Sequence, residues 1–481
     1  MKHKRLFIGI LVILIALAAV YFAGAMYFQS HYFPETKVGE TDISMKTQKE
    51  AEALLKKDVD HYQIQVVEEG QTEAITAEDV DLKFSDLDRV QDALKSQNIF
   101  QWPLYLVGKK KEHVPELNLS IDSQKVKEKA KGLACMNPNP VVKSQNAEII
   151  YDAASQTYTI KKESIGNEMK KGAFVKDLQD KMLGLEKEID VTAGTYYKPP
   201  KYLSTDPKVT TAAQMMNDFL GVAIHYSDRD ATAELSKTDI PAFLAVTKDF
   251  DVKIDRTKIN DYVNKTLYPA FNTVGKTRTF KSKGSGQEIT QGGGNYGWRV
   301  GIRLETDAIE KAMQKAANTK TSKEGYQEVK ADGSKETVDE TRKPLYLIEG
   351  STEVKGNDIG KTYIDVDIDS QHMWYVVNNK VVLDTDFVSG DPTKGHDTPK
   401  GVWMIEDKVT DYDMKENPVT VKWWLPFCTE RGIGFHDAPW RSSFGGEIYR
   451  GNGSHACVNM PPSVQKELFS KVAVNTPVIV H

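Results

Sequence analysis

The chain has 481 residues, too many for one hydrophobic core, so about two to four domains are expected. Its 40% apolar and 27% charged residues are ordinary for folded soluble domains and exclude a disordered or collagen-like chain. A formal net charge of -5 argues against nucleic acid as a partner, since nucleic-acid binding domains tend to be basic.

Lys2-His3-Lys4-Arg5 precedes Leu6–Phe28, a run of 23 residues without charge. About 20 apolar residues cross a bilayer core as a helix. Cationic residues prefer the cytoplasmic side, which leaves the rest of the chain outside. A cleavable signal peptide is the alternative, but the run exceeds the usual apolar region of such peptides. Tyr27, Phe28, Tyr32 and Phe33 read as interfacial aromatics. We therefore expect residues 1–32 to be a cytoplasmic tail and an anchor in the cell membrane.

Beyond the anchor, Val38–Ser44 reads as a short strand with a tight turn. Thr47 and Glu50 form a capping-box pattern that opens a helix over 49–57. Alternation predicts a strand over 62–67. Helical patterns follow at 87–95, 123–132 and 173–183, with strands near 149–151 and 157–160. The order then recurs weakly. Residues 118–122 lead into a helix over 124–131, and 251–255 lead into one over 257–267. Residues 158–160 with Gly166 precede the helix near 173, and 298–300 with Gly301 precede one over 305–317. This suggests two related α+β modules, 33–204 and 205–325. The glycines of 284–286 and 292–297 lack the context of a phosphate loop and read as loops or strand edges. The polar residues 326–351 read as a linker or exposed hairpin, with a turn at Ala331-Asp332-Gly333.

From 352 to 481 the pattern changes to many short strands. Alternation marks 363–368 and 372–377, with Asn378-Asn379 as a hairpin turn, and strands follow at 381–388, 401–405 and 419–424. Only 462–473 looks helical. The expectation is a mostly β last domain with its own core.

The chain contains 3 cysteines: Cys135, Cys428 and Cys457. Cys135 and Cys428 read as small core hydrophobes, and a Cys428–Cys457 disulfide is an alternative. Cys457 lies near His436 and His455. A thiol has a pKa near 8.5, lowered by a nearby imidazolium, and the thiolate attacks acyl carbons. Either histidine is a candidate base; on a regular strand His455 and Cys457 would share a face. The N–H groups of Ala456 and Cys457 are candidates for an oxyanion hole, and Ser454 and Asn459 for orienting groups. Metal ligation by His436, His455 and Cys457, or simple core packing, fits the same residues.

These residues resemble the YkuD-type catalytic domain of L,D-transpeptidases. The family's histidine is matched by His436. After 17 residues comes Ser454-His455-Ala456-Cys457-Val458-Asn459. Residues 363–366, Val388-Ser389-Gly390 and Thr398-Pro399-Lys400-Gly401 resemble earlier parts of that domain. The two upstream modules resemble, more loosely, the peptidoglycan-binding domains of some Gram-positive members. The resemblance implies a β-sandwich of YkuD type and 3→3 cross-linking of peptidoglycan. A tetrapeptide stem would be the donor, an amine of a second stem the acceptor, and a Cys457 thioester the intermediate. It implies no metal or other cofactor, His436 as base, and a main-chain carbonyl of Ser454 orienting it. It also places His455 beside the oxyanion hole, Tyr449, Trp423 and Trp424 along the donor groove, and carbapenems as covalent ligands. An L,D-carboxypeptidase and an inactive wall-binding scaffold are the alternatives. One departure stands out: the family has glycine where this chain has Ala456.

Overall fold

A computed structural model describes residues 2–331, 333, 335–354, 357–414 and 419–481. The expected turn at Ala331-Asp332-Gly333 therefore lies partly outside the described residues. The chain forms two compact units, residues 1–148 with 160–209, and residues 149–159 with 210–481.

The first unit begins with a helix over Lys2–Tyr27, 26 residues long. At 1.5 Å per residue it spans about 39 Å, more than the ~30 Å hydrocarbon core of a bilayer. Its most apolar stretch buries nothing in the protein. Its last turns do pack: Trp102 Nε1 donates to the Tyr21 carbonyl at 3.0 Å, Tyr21 donates to the Phe100 carbonyl at 2.8 Å, and Ala25 and Phe28 are buried. Thr47 and Glu50 make the expected reciprocal cap on the helix Gln48–Asp60. A three-stranded sheet pairs Gln63–Glu68 with Gln71–Thr76 antiparallel and with Glu188–Asp190 parallel. Helices Ser123–Gly132 and Lys171–Leu183 add Val126, Ala130, Phe174, Leu178 and Met182 to its core.

The second unit opens with the same device. Val222–Asp228 pairs with Ala231–Leu235 antiparallel and with Val338–Arg342 parallel. Asp122 and Asp255 cap the helices that follow in each module, each accepting from two backbone N–H groups. The third strand of the second module thus comes from residues expected to be a linker. Within 326–351 lie strands Gln327–Val329, Val338–Arg342 and Tyr346–Ile348. In Val338–Arg342, Arg342 reaches inward to the buried Glu305 at 2.7 Å, while Asp339 and Thr341 lie on the opposite, exposed face.

Among the described residues the last domain contributes nine strands, which we label β1 (Tyr363–Asp367), β2 (His372–Val377), β3 (Lys380–Asp386), β4 (Gly401–Met404), β5 (Val409–Asp413), β6 (Thr420–Cys428), β7 (Ile433–Asp437), β8 (Val458–Met460) and β9 (Pro477–Val480). One sheet has the order β3-β2-β1-β9-β4, the other β5-β6-β7-β8. Asn378 and Asn379 both have positive φ, 51° and 63°, as a two-residue hairpin turn of matching twist requires. Ile364, Val366, Met373, Val478 and Val480 from the first sheet share one core with Leu425, Phe427, Phe435, Val458 and Met460 from the second. The helix Pro462–Lys471 covers it with Leu468. The second module and this domain lie within one compact unit.

Candidate active site

Strand alternation places the chemistry. On β6, β7 and β8, Leu425, Phe435 and Val458 point into the core. Their neighbours Trp424, His436 and Cys457 therefore point to the other face. Trp424 lies opposite His436, and His436 opposite Asn459 on the parallel strand β8. Cys457, two residues before Asn459, packs against Trp424, whose ring lies 6.0 Å from that of His436. A parallel pair needs a crossover, and residues 438–457 supply it.

His436 is buried. Its Nδ1 lies 2.9 Å from the Asp437 carbonyl. A carbonyl only accepts, so Nδ1 carries the proton and Nε2 presents a lone pair. Burial pushes the imidazole below its ordinary value of 6.5, and the Asp437 hydrogen bond and charge oppose this only in part. The ring is neutral at pH 7, the state a base requires. Trp424 and Trp440 flank it, with ring centroids at 6.0 and 5.8 Å. Trp440 is 51% exposed.

Cys457 is 4% exposed and packs with Val421 and Trp424, beside Val409, Tyr412 and Met414 of the β5–β6 hairpin. Tyr412 stacks on Trp424 at 5.1 Å. The Cys457 thiol donates to the Gly432 carbonyl at 3.5 Å. No cysteine is in a disulfide, so the Cys428–Cys457 bridge does not form. Among the described residues no group of three or more His, Cys, Asp or Glu side chains has metal-binding geometry.

The loop before the cysteine is irregular. Residues 455–457 are not strand. His455 therefore does not share a face with Cys457; it is exposed, with its ring on His396 at 4.4 Å. Ala456 has φ 84°, a left-handed value that favours glycine. The Ser454 carbonyl accepts from the Asp391 N–H at 3.1 Å, so the orienting role expected of it falls to Asp437. Ser454 instead donates its hydroxyl to the Cys457 carbonyl at 2.5 Å.

Thr398 fixes the peptide between Ala456 and Cys457. Its hydroxyl donates to the Ala456 carbonyl at 2.8 Å and accepts from the Gly390 N–H at 2.9 Å. In a trans peptide the N–H points opposite to the C=O, so the Cys457 N–H is turned away from Thr398. Gly390 must be glycine, because a Cβ there would lie 1.8 Å from the His396 carbonyl and 2.6 Å from the Ala456 Cα. Asp391 staples the crossover: its Oδ1 accepts from the Thr393 hydroxyl at 2.7 Å and from the Gly451 N–H at 3.0 Å. The Thr393 hydroxyl and these other contacts hold the Asp391 carboxyl well below the usual range. Tyr449 belongs to this crossover rather than to the strand face of His436, and its hydroxyl accepts from Arg450 Nε at 3.0 Å. Asn459 is buried and pairs with Val388 through its backbone.

A buried neutral imidazole beside a thiol, on a two-sheet β domain with a clamped peptide next to the cysteine, is the equipment of a cysteine acyltransferase. Residues 361–480 match the family model of the L,D-transpeptidase catalytic domain. The crystal structure of a mutant L,D-transpeptidase from Enterococcus faecium is 33% identical, with 56% of this chain and 98% of that one covered and a TM-score of 0.37. The NMR structure of an E. faecium L,D-transpeptidase catalytic domain acylated by ertapenem is 42% identical, covering 25% of this chain and 97% of that one at a TM-score of 0.23. An L,D-transpeptidase from Mycobacterium smegmatis is 25% identical, covering 25% and 58% at a TM-score of 0.22. A search of curated proteins returned no match. Residues 361–480 therefore belong to the L,D-transpeptidase catalytic-domain family. The chain is a cysteine acyltransferase of the cell wall.

Proposed function

We propose that Cys457 is the nucleophile of 3→3 peptidoglycan cross-linking and His436 its base. The carrying observation is the Nδ1–H to Asp437 hydrogen bond, which leaves Nε2 of a neutral ring for the thiol proton. The sulfur attacks the carbonyl of the third residue of a tetrapeptide stem. His436 takes the thiol proton and returns it to the departing D-Ala amine. A thioester remains. An amine of a second stem then attacks it, His436 takes that proton, and the thiol is regenerated. The Cys457 N–H, aimed by Thr398, and the Ala456 N–H stabilise the tetrahedral oxygen, each donor being worth about 3 kcal/mol. The apolar cover of Val421, Trp424 and Tyr412 keeps water from the thioester and favours an amine acceptor over hydrolysis. Trp440, half exposed beside His436, lines the approach.

The N-terminal helix is read as an uncleaved single-pass anchor with Lys2, Lys4 and Arg5 inside, so the rest faces the wall. Its packed last turns support retention, because cleavage there would strip Ala25 and Phe28 from their partners. The two upstream modules, 33–204 and the one beginning at 205, are read as peptidoglycan-binding, and the last domain as a YkuD-type β-sandwich. A carbapenem, whose strained lactam imitates the donor amide, is expected to acylate the enzyme.

The test is intact-mass analysis after ertapenem, with parent and Cys457→Ala proteins. One adduct on the parent and none on the variant is expected; an adduct on the variant would sink the assignment. A labelled tetrapeptide stem mixed with an amine acceptor then separates transpeptidase, carboxypeptidase and inactive scaffold. The products are a cross-linked dimer, a trimmed tripeptide or neither, and the dimer is expected.

A further inference from the structure

The glycine-rich stretch 292–297 of the second module lies along β4, the edge strand of the first sheet. The Gly293 carbonyl accepts from the Val402 N–H at 3.2 Å, and the Tyr296 N–H donates to the Val402 carbonyl at 3.1 Å. A Cβ at Gly294, whose φ is 80°, would lie 2.0 Å from that carbonyl. Asn295, between them, spends its whole amide on the last domain. Its Oδ1 accepts from the Met404 N–H at 3.0 Å, and its Nδ2 donates to Glu406 Oε1 at 2.6 Å and to the Phe427 carbonyl at 3.0 Å. The other oxygen of Glu406 accepts from the Thr429 N–H at 2.7 Å and from the Thr429 hydroxyl. Thr429 opens the tight turn that closes with its carbonyl accepting from the Gly432 N–H at 3.0 Å. Gly432 is the residue whose carbonyl takes the Cys457 thiol.

We propose that Asn295 is a positioning residue for acyl transfer: through Glu406 it sets the 429–432 turn, and so the Gly432 carbonyl that orients the Cys457 thiol. The inference rests on Cys457 being the nucleophile. Four consecutive hydrogen-bonded links join a side chain of the second module to the reacting sulfur, and none passes through the hydrophobic core. The Gly432 carbonyl holds the Cys457 thiol at 3.5 Å. The thiol's starting orientation is therefore part of the geometry of attack, in which small displacements carry large rate penalties.

The experiment follows acylation of the full-length protein by ertapenem, separating the limiting rate from the half-saturating concentration. The variants are Asn295→Asp, Glu406→Gln, their double, and Cys457→Ala. Asn295→Asp sets a new carboxylate against that of Glu406, like charge against like. Glu406→Gln gives the Asn295 amide a neutral partner that carries a second donor. In the double variant the polarity is reversed: the new Gln amide donates to the new Asp carboxylate, and the Gln oxygen still accepts from Thr429. Each single substitution is expected to lower the limiting rate about tenfold with half-saturation unchanged within roughly twofold, and the double to recover most of it. Melting temperatures of all variants are recorded alongside. If Asn295→Asp does not fold, Glu406→Gln and the double variant still form the comparison. Parent-like rates in the single variants, a change in half-saturation alone, or no recovery in the double would overturn the proposal. With Cys457→Ala unreactive, those outcomes leave the nucleophile standing. An adduct on Cys457→Ala would remove the nucleophile and the proposal together.

Discussion

Ala456 is the residue where backbone energetics and chemistry meet. A left-handed alanine costs about 1–2 kcal/mol. Glycine would remove that strain but lose about 0.5–1 kcal/mol in chain entropy and about 0.8 kcal/mol for a buried methyl. The terms offset, so Ala456→Gly is expected to change the urea midpoint by less than about 1 kcal/mol equivalent. The loop therefore tolerates alanine in place of the family glycine. Ala456→Val puts a β-branched side chain at φ 84°. It should cost about 2 kcal/mol or more and abolish ertapenem acylation by shifting the Cys457 N–H. His436 sets a pH dependence. Its folded pKa lies below 6.5 through burial, so as pH falls through 6.5 the unfolded chain binds the proton first. Stability then declines towards the folded pKa. The urea midpoint should drop between pH 7.5 and 5.5 in the parent, and the drop should shrink in His436→Phe. The acid limb of kcat/KM should likewise fall below pH 6.5.

At the scale of elements, the site depends on β7 and β8 running parallel and on Thr398, which ties their loop to the segment between β3 and β4. Thr398→Val keeps the shape but leaves the Gly390 N–H and Ala456 carbonyl without their partner. It should cost about 1–3 kcal/mol in a denaturant titration and slow acylation more than Thr398→Ser, which keeps the hydroxyl. Much of this level is readable from sequence. The alternation at 372–377, the Asn-Asn turn and the Thr47–Glu50 cap depend on neighbours in sequence and form as expected. His436 lies opposite Asn459 across β7 and β8, although their spacing in sequence carries no geometric guarantee. The tautomer of His436, the handedness of Ala456 and the turning of His455 onto His396 depend on backbone angles that residue type does not specify. Trp440 and Asp437 escape a reading of the sequence, although the first follows His436 by four residues and the second by one.

On the scale of the whole molecule, sequence patterns divide what folds together. Asn295 reaches partners 111 and 132 residues away, and the strand Val338–Arg342 pairs with Val222–Asp228 from far earlier in the chain. No local pattern reports such contacts. Arg278 grips Asp358 through Nε and Nη2 at 2.5 and 3.0 Å, both nearly buried. Arg278→Ala should cost about 3–5 kcal/mol by stranding a buried carboxylate, read as a lower melting temperature of the whole second unit rather than of the 210–351 segment alone. The anchor reading predicts that full-length protein leaves membranes with detergent and not with high salt, whereas a variant lacking residues 2–27 is recovered in the soluble fraction. The order β3-β2-β1-β9-β4 has a temporal meaning as well. The strand in the middle of that sheet's last pairings, Pro477–Val480, is the last of the five to be synthesised. Until it arrives, β1 and β4 have nothing to join them, and the floor beneath the sulfur is missing. A polypeptide still being threaded outward would carry its future warhead as an inert thread, disarmed by its own incompleteness.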